Sequence, residues 1–199
     1  MRTCTRVISL IFLFVASFSA LSAQSSHEKD QKPKKVSKLG FGVNLGNLQF
    51  YNNSFIFGLA PNVAYRLSES LAVGAMVKLT YFYEKFPDYG NQKFSAFDVG
   101  PTVFTRWKPL WSTDGATPFL QGLFLQAEYE RASIARPFIN SGTGDIFTVR
   151  EGENYLYLGL GASSGYPFSS FLSIHFNILD DANSSRIPFD YRVGFTYNY

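Results

Sequence analysis

The sequence predicts an all-β protein, an eight-stranded antiparallel up-and-down transmembrane β-barrel. Three observations carry that expectation. From Leu39 onward apolar residues recur at nearly every second position, the period at which a strand returns to one face. Aromatic residues make up 18% of the chain and are almost all Phe and Tyr, which suit strands better than helices. The last stretch, Pro188 to Tyr199, puts Phe189, Tyr191, Val193, Phe195, Tyr197 and Tyr199 on one face of a ribbon, opposite Asp190, Arg192, Gly194, Thr196 and Asn198. Such a bare aromatic face suits lipid rather than water.

Length and charge narrow the class further. A chain of 199 residues is enough for one domain with a substantial interior. Beyond the N-terminus no apolar run approaches the ~20 residues a membrane helix needs. The formal net charge of +3 is too small to argue for nucleic acid, and no basic face interleaves with base-stacking positions.

Residues 1–23 read as a signal peptide. Arg2 and Arg6 are the charged start, Val7 to Phe14 the apolar stretch, and Ala20-Leu21-Ser22-Ala23 the small-residue cleavage region, with the cut after Ser22 or Ala23. Cys4, the single cysteine, leaves with it, so no thiol chemistry or cysteine metal site is expected in the mature chain. Residues 24–38 are polar and read as a disordered periplasmic leader. Their Lys32, Lys34, Lys35 and Lys38 suit a solvated linker, with contact to peptidoglycan or lipid headgroups as the alternative.

The barrel is expected over 39–199. Leu39, Phe41, Val43 and Leu45 begin the first strand, and Tyr51-Asn52-Asn53-Ser54 is a turn. In the second, Phe55, Phe57, Leu59, Val63, Tyr65 and Leu67 share a face. Ser68-Glu69-Ser70 turns into the third, where Leu71 to Tyr83 alternates most cleanly and Lys78 lies on the opposite face. A polar loop from Lys85 to Ser95 leads to the fourth, with Phe97, Val99, Val103 and Trp107 opposite Asp98, Gly100, Thr102 and Arg106. Lys108 to Thr117 is a turn region. The fifth strand sets Phe119, Leu123, Leu125 and Tyr129 against Gly122, Gln126, Glu128 and Glu130.

A long connection runs from Arg131 to Glu153, in which Ile134–Ile139 and Ile146–Arg150 can prolong the hairpin. The sixth strand sets Leu156, Leu158, Leu160 and Ala162 against Tyr155, Tyr157, Gly159 and Gly161. A tight turn is expected at Phe168-Ser169-Ser170, and the seventh strand sets Leu172, Ile174, Phe176 and Ile178 against Ser173, His175 and Asn177. After the polar stretch from Leu179 to Ile187 the closing strand is expected to pair with Leu39–Leu45. Pro61-Asn62-Val63-Ala64-Tyr65-Arg66 echoes Pro101-Thr102-Val103-Phe104-Thr105-Arg106, which makes the hairpin the repeating unit. Both prolines fall mid-strand, where they weaken a ladder unless a bulge absorbs them.

Alternation does not say which face is outside, since a soluble barrel shows the same period. Connections are short after the second and sixth strands and longer after the third, fifth and seventh, as periplasmic turns and outer loops are. The first outer turn, near Asn52, is short, however, and the fourth-to-fifth connection long. Apolar-face aromatics collect near strand ends, as interfacial girdles do. The other face combines small residues with Lys78, Asp98, Gln126, Glu128, His175, Asp190 and Arg192, which suits a narrow packed lumen. These seven form the expected lumen polar network.

Gly58-Leu59-Ala60-Pro61-Asn62-Val63-Ala64-Tyr65-Arg66-Leu67, followed by Leu71-Ala72-Val73-Gly74, resembles a hairpin of the OmpA/OmpX-like outer-membrane β-barrel group, in its Bacteroidetes-like form. The resemblance covers Leu39 to Tyr199 and specifies architecture and compartment better than activity. It implies a Gram-negative outer membrane, contact with membrane lipid and lipopolysaccharide, and a monomer. It also implies that Phe195, Tyr197 and Tyr199 act as an assembly signal to the outer-membrane assembly machinery.

Chemistry is sparse. Ser173 and His175 stand two apart on one face, a spacing a nucleophile and its base can use, but parity sends both into the lumen, away from lipid. His27 is the other histidine of the mature chain and lies in the leader, so no histidine metal cluster is expected. Gly142-Thr143-Gly144 is a turn signal, not a phosphate loop. The reading is a non-enzymatic barrel with no cofactor or metal, serving envelope integrity or surface interaction. A small solute channel, a lipid A-modifying enzyme and a secreted soluble ligand-binding barrel are the alternatives.

Overall fold

The period-two pattern folds into eight strands: β1 (Leu39–Tyr51), β2 (Ser54–Arg66), β3 (Leu71–Phe86), β4 (Gln92–Trp107), β5 (Leu123–Ile139), β6 (Ile146–Ser164), β7 (Phe168–Asn177) and β8 (Phe189–Asn198). This computed structural model describes residues 38–51, 53–87, 92–140, 146–164, 168–179 and 189–198. The expected signal peptide, all of the leader but Lys38, and Tyr199 lie outside the described residues. Each strand pairs antiparallel with its chain neighbour, and the sheet closes on itself. Closure is made by β8 on β1, from Gly40 opposite Asn198 to Gly46 opposite Arg192. Closing the sheet leaves no edge strand, so backbone groups are satisfied within the wall.

Parity decides the faces. Leu45, Val77, Phe97, Val103, Leu125, Leu160, Phe176 and Phe195 are exposed on the outside. Lys78, Asp98, Gln126, Glu128, Glu130, His175, Asp190 and Arg192 are buried inside. The soluble ligand-binding alternative required an apolar interior, whereas this interior sets these charged groups among rings such as Phe124, Tyr157 and Phe171.

Large and small inward residues alternate across neighbouring strands, which is how a narrow barrel fills its bore. Gly159 faces His175 and Gly194 faces Phe171 in register. A Cβ at Gly159 would come within 2.0 Å of the His175 ring, and one at Gly194 within 2.1 Å of the Phe171 ring. These glycines are gaps that the partner ring occupies.

Several sequence expectations shift. The loop placed at Lys85–Ser95 is shorter, because β3 runs to Phe86 and β4 starts at Gln92. The connection placed at Arg131–Glu153 is mostly a β-ribbon, with Ile134–Ile139 paired to Ile146–Glu151. Phe168–Ser170, where a turn was expected, belong to β7, and residues 165–167 before them lie outside the described residues. Phe119 is not in a strand. It lies in a short helix, α1 (Pro118–Gly122), whose first turn Thr117 caps by accepting from the Leu120 amide at 3.4 Å. Tyr129 lies inside β5 rather than at its end, and its hydroxyl donates to Asn154 at 3.1 Å.

The register of β1 on β2 slips by one between Gly46 and Gln49, and Asn47 there has φ 52°. That is a bulge with its extra residue in the left-handed region, which asparagine tolerates better than most. Pro61 and Pro101 cause no such slip. On β2–β3 the pairs lapse between Leu59–Leu79 and Asn62–Met76, and on β4–β5 between Val99–Ser133 and Thr102–Glu130, with register kept on both sides. Each proline lacks a donor toward one neighbour only; its other ladder runs through unbroken, Pro61 opposite Val43 and Pro101 opposite Val77.

The connections after β2, β4 and β6, together with Lys38 and the end of β8, share one end of the barrel, called here the short-turn end after its β2–β3 turn at 67–70; the longer 108–122 segment with α1 lies at the same end. The bulge, the β5–β6 ribbon and the other connections mark the opposite end.

Candidate functional site: the ionic lumen

The inward positions of β3, β5, β7 and β8 converge because residues two apart on a strand return to the same face. Lys78 is the hub on β3. Its Nζ lies 2.9 Å from Glu128 Oε2 and 2.8 Å from Glu130 Oε2. From the other side, Arg192 of β8 donates through Nη1 to Glu128 and through Nε to Asp190. Gln126 donates to Glu128 and accepts from Arg106 Nε at 2.7 Å. The chain of contacts therefore runs from Arg106 through Gln126, Glu128 and Arg192 to Asp190, with a branch through Lys78 to Glu130.

Three carboxylates meet two cations in contact, and Arg106 adds the third positive charge one layer nearer the short-turn end. Pairing of this kind is required: Glu128 is 1% exposed and Glu130 0%, and an unpaired charge there would carry a desolvation penalty of several kcal/mol. Aromatic rings line the same space. Lys78 Nζ sits 4.3 Å from the Tyr157 ring centre, and Tyr157 stacks on Tyr155 at 5.8 Å. Cations over ring faces gain further when desolvated.

A second arrangement fills the lumen beside the ion pairs. The Arg106 guanidinium carbon lies 4.4 Å from the Phe171 ring centre and 4.6 Å from that of Phe124, and the two rings meet edge to face at 5.8 Å. The Arg106 guanidinium is thus held among lumen rings and tied to Gln126.

Of the seven expected network residues, Lys78, Gln126, Glu128, Asp190 and Arg192 form one connected cluster. His175 is wholly buried beside it, with Nε2 3.6 Å from Glu128 Oε1, and neither ring nitrogen makes a hydrogen bond. Ser173 Oγ is likewise without a hydrogen bond, so the serine and histidine do not form a nucleophile–base pair. Asp98 stands apart, accepting from the Ala135 amide at 2.8 Å where the β4–β5 pairing has ended. Glu130 belongs to the cluster and was left out of the expected network. Its parity with Glu128, two residues on, was the available signal. Among the described residues no group of three or more metal-ligating side chains is found.

No protein-family model matches the chain, and no curated protein matches it. Solved structures do. The N-terminal β-barrel domain of Pseudomonas aeruginosa OprF aligns at 12% identity, over 83% of this chain and 100% of that one, with a TM-score of 0.46. The Yersinia pestis outer membrane protein Ail in a phospholipid bilayer nanodisc aligns at 13% identity, over 82% and 99%, with a TM-score of 0.48. Neisserial surface protein A aligns at 10% identity, over 83% and 100%, with a TM-score of 0.41.

Proposed function

We propose that this chain is a non-enzymatic outer-membrane β-barrel of a Gram-negative bacterium, of the OmpA/OmpX-like kind, whose lumen is closed by its own ionic side chains. One observation carries the reading: the molecule is inverted relative to a soluble protein. Val103 and Leu160 are 58% and 55% exposed, while Lys78, Glu128, Glu130 and Arg192 are buried. An exterior that is apolar all round is stable where the surroundings are hydrocarbon. Exported through a cleaved signal, the barrel sits among outer-membrane lipid and lipopolysaccharide as a monomer. The β5–β6 ribbon, with exposed Phe138 and Phe147 packed 5.1 Å apart, supplies the surface through which it serves envelope integrity or surface interaction.

Two measurements test this. Full-length protein expressed in a Gram-negative host is expected in the outer-membrane fraction and to migrate differently on gels before and after boiling. Recovery as a soluble monomer would sink the proposal. Truncation of Tyr199, or Phe195→Ala with Tyr197→Ala, is expected to lower assembled yield if the terminal aromatics are the assembly signal. The closed lumen predicts no steady conductance in planar bilayers, and reproducible single-channel steps would move the reading to the small-channel alternative. Unchanged lipid A mass spectra on overexpression are expected, since His175 and Ser173 face the lumen.

A further inference from the structure

We propose that the short-turn mouth of the barrel is a binding site for a phosphate-class oxyanion. A cavity of about 100 Å³ opens there between the start of β1, the β2–β3 turn and the segment after β4. Lys38, Arg66, Arg106 and Lys108 line it, with the hydroxyls of Ser68 and Ser70 and the ring of Trp111. Glu69 is the one carboxylate among its lining residues. The chain brings these groups together by register: the Arg66 amide bonds the Lys38 carbonyl at 2.7 Å, and the Lys108 amide bonds the Ser70 carbonyl at 2.7 Å.

The charges of this mouth are not neutralised as the lumen charges are. Among the described residues, none of the four cations makes an ion pair. Arg106 spends its Nε on neutral Gln126, and its guanidinium rests against Phe124 and Phe171. The Lys108 ammonium lies 4.8 Å from the centre of the Trp111 ring. Like charges gathered in a partly desolvated cavity repel, and the Lys108 ammonium records it: burial, then Arg106 and Arg66, pull it down to about 8. A bound anion relieves both the repulsion and the lost hydration.

The dimensions and donors select the class of anion. The cavity is open on one side and large enough to admit a tetrahedral oxyanion. The Arg66 fork, the Nη donors that Arg106 keeps beside its bond to Gln126, the Lys108 ammonium and the Ser68 and Ser70 hydroxyls match a negatively charged phosphoryl group, whose oxygens can accept from several of them at once. A carboxylate would leave most of these donors unused. Free phosphate and a phospholipid headgroup present the same group, and the experiment separates them.

The full-length protein is titrated with inorganic phosphate at constant ionic strength in zwitterionic detergent, following Trp111 emission against Trp111→Phe as blank. Expected is a saturable change that chloride does not reproduce and that is at least tenfold weaker in Arg66→Gln/Lys108→Gln. Both of those positions are half-buried and lie outside the lumen cluster, and the heat-dependent gel shift checks that the variant is folded. In the second arm, nanodiscs of phosphatidylcholine with or without phosphatidylglycerol are analysed by native mass spectrometry for retained phosphatidylglycerol. A response in the first arm only assigns a free oxyanion, and in the second only a headgroup. Responses in both mean that the site accepts the group from either source. No variant-sensitive response in either arm overturns the proposal. The phosphate arm does not depend on the membrane reading, so its success or failure is separable from it.

Discussion

Lys78 on β3 reaches Glu130 on β5 across the intervening strand β4, Nζ to Oε2 at 2.8 Å. The residue that β4 places between them is Gly100, directly opposite Lys78 in register. A Cβ at Gly100 would stand 2.1 Å from Glu130 Oε1. The ion pair therefore exists because β4 contributes no side chain there.

Gly100→Ala is expected to push Glu130 aside and destabilise the barrel by about 1–3 kcal/mol, the usual cost of overpacking. Equilibrium urea unfolding of the refolded protein in lipid vesicles measures it. Glu130→Ala combined with Gly100→Ala is expected to cost less than the sum of the single changes, because they remove the same contact. Strict additivity would show that Gly100 is not making room for Glu130.

Glu128 is contacted by Lys78 from one wall and Arg192 from another. Glu128→Ala leaves both cations short of a partner in a buried place and is expected to cost about 3–5 kcal/mol by the same unfolding assay. Glu128→Leu with Arg192→Met removes one charge of each sign and is expected to recover a large part of that loss. A double variant no more stable than the single one would mean that the lumen charges are solvated.

Val103 is 58% exposed on the outer face between Phe97 and Trp107. At an exposed site of a water-soluble protein, Val103→Lys would change stability by about 0.5 kcal/mol or less. In contact with hydrocarbon it is expected to cost about 2–4 kcal/mol. Unfolding in vesicles, set beside Lys placed at exposed Asn53 as control, distinguishes the two environments.

The mouth gives a pH prediction. Lys38, Arg66, Glu69 and Arg106 are the charged groups facing Lys108, and Lys108 titrates at about 8 rather than 10.5. Below that value Lys108 carries its charge; above it Lys108 goes neutral and the pull on an anion weakens. Phosphate affinity is expected to fall several-fold as pH rises from about 7.5 to 9.5, and Lys108→Arg, which keeps its charge, to flatten the curve. Stability without anion runs the other way. The unfolded chain keeps the Lys108 proton up to 10.5, so folding gains with pH between 8 and 10.5. An affinity independent of pH in the wild type would count against Lys108 as a ligand.

Strand number, closure and face were legible because one rule, alternation, holds through the greater part of the barrel wall. Lys78, Glu128 and Arg192 could be placed inside by counting from Leu79, Leu125 and Val193. Counting fails at Asn47, where a bulge adds a residue and nothing in Gly46-Asn47-Leu48 distinguishes a bulge from continued strand. Ends were harder still, because polar residues such as Lys93 and Gln92 pair as strand once a neighbour offers a ladder. Parity places Arg106 on the inner face, but its cage of Phe124 and Phe171 depends on contacts between strands distant in sequence. Lys108 and Lys38 reveal a shared cavity only once the β2–β3 turn lies between them.

The two prolines acquire a meaning when their heights on the wall are compared. The lapse on β2–β3 falls at Ala60 and Pro61 against Lys78 and Val77, and the lapse on β4–β5 at Gly100 and Pro101 against Ala132 and Arg131. Lys78 lies opposite Gly100, so all of this happens at one level. The β3–β4 hairpin is a stave with a slack seam on each side, and Lys78 bolts it from within to Glu128 and Glu130 on the stave beyond the second seam. The charges in this bore are thus mortar for the wall, and an ion that drew them apart to pass would be loosening the barrel at its weakest joints.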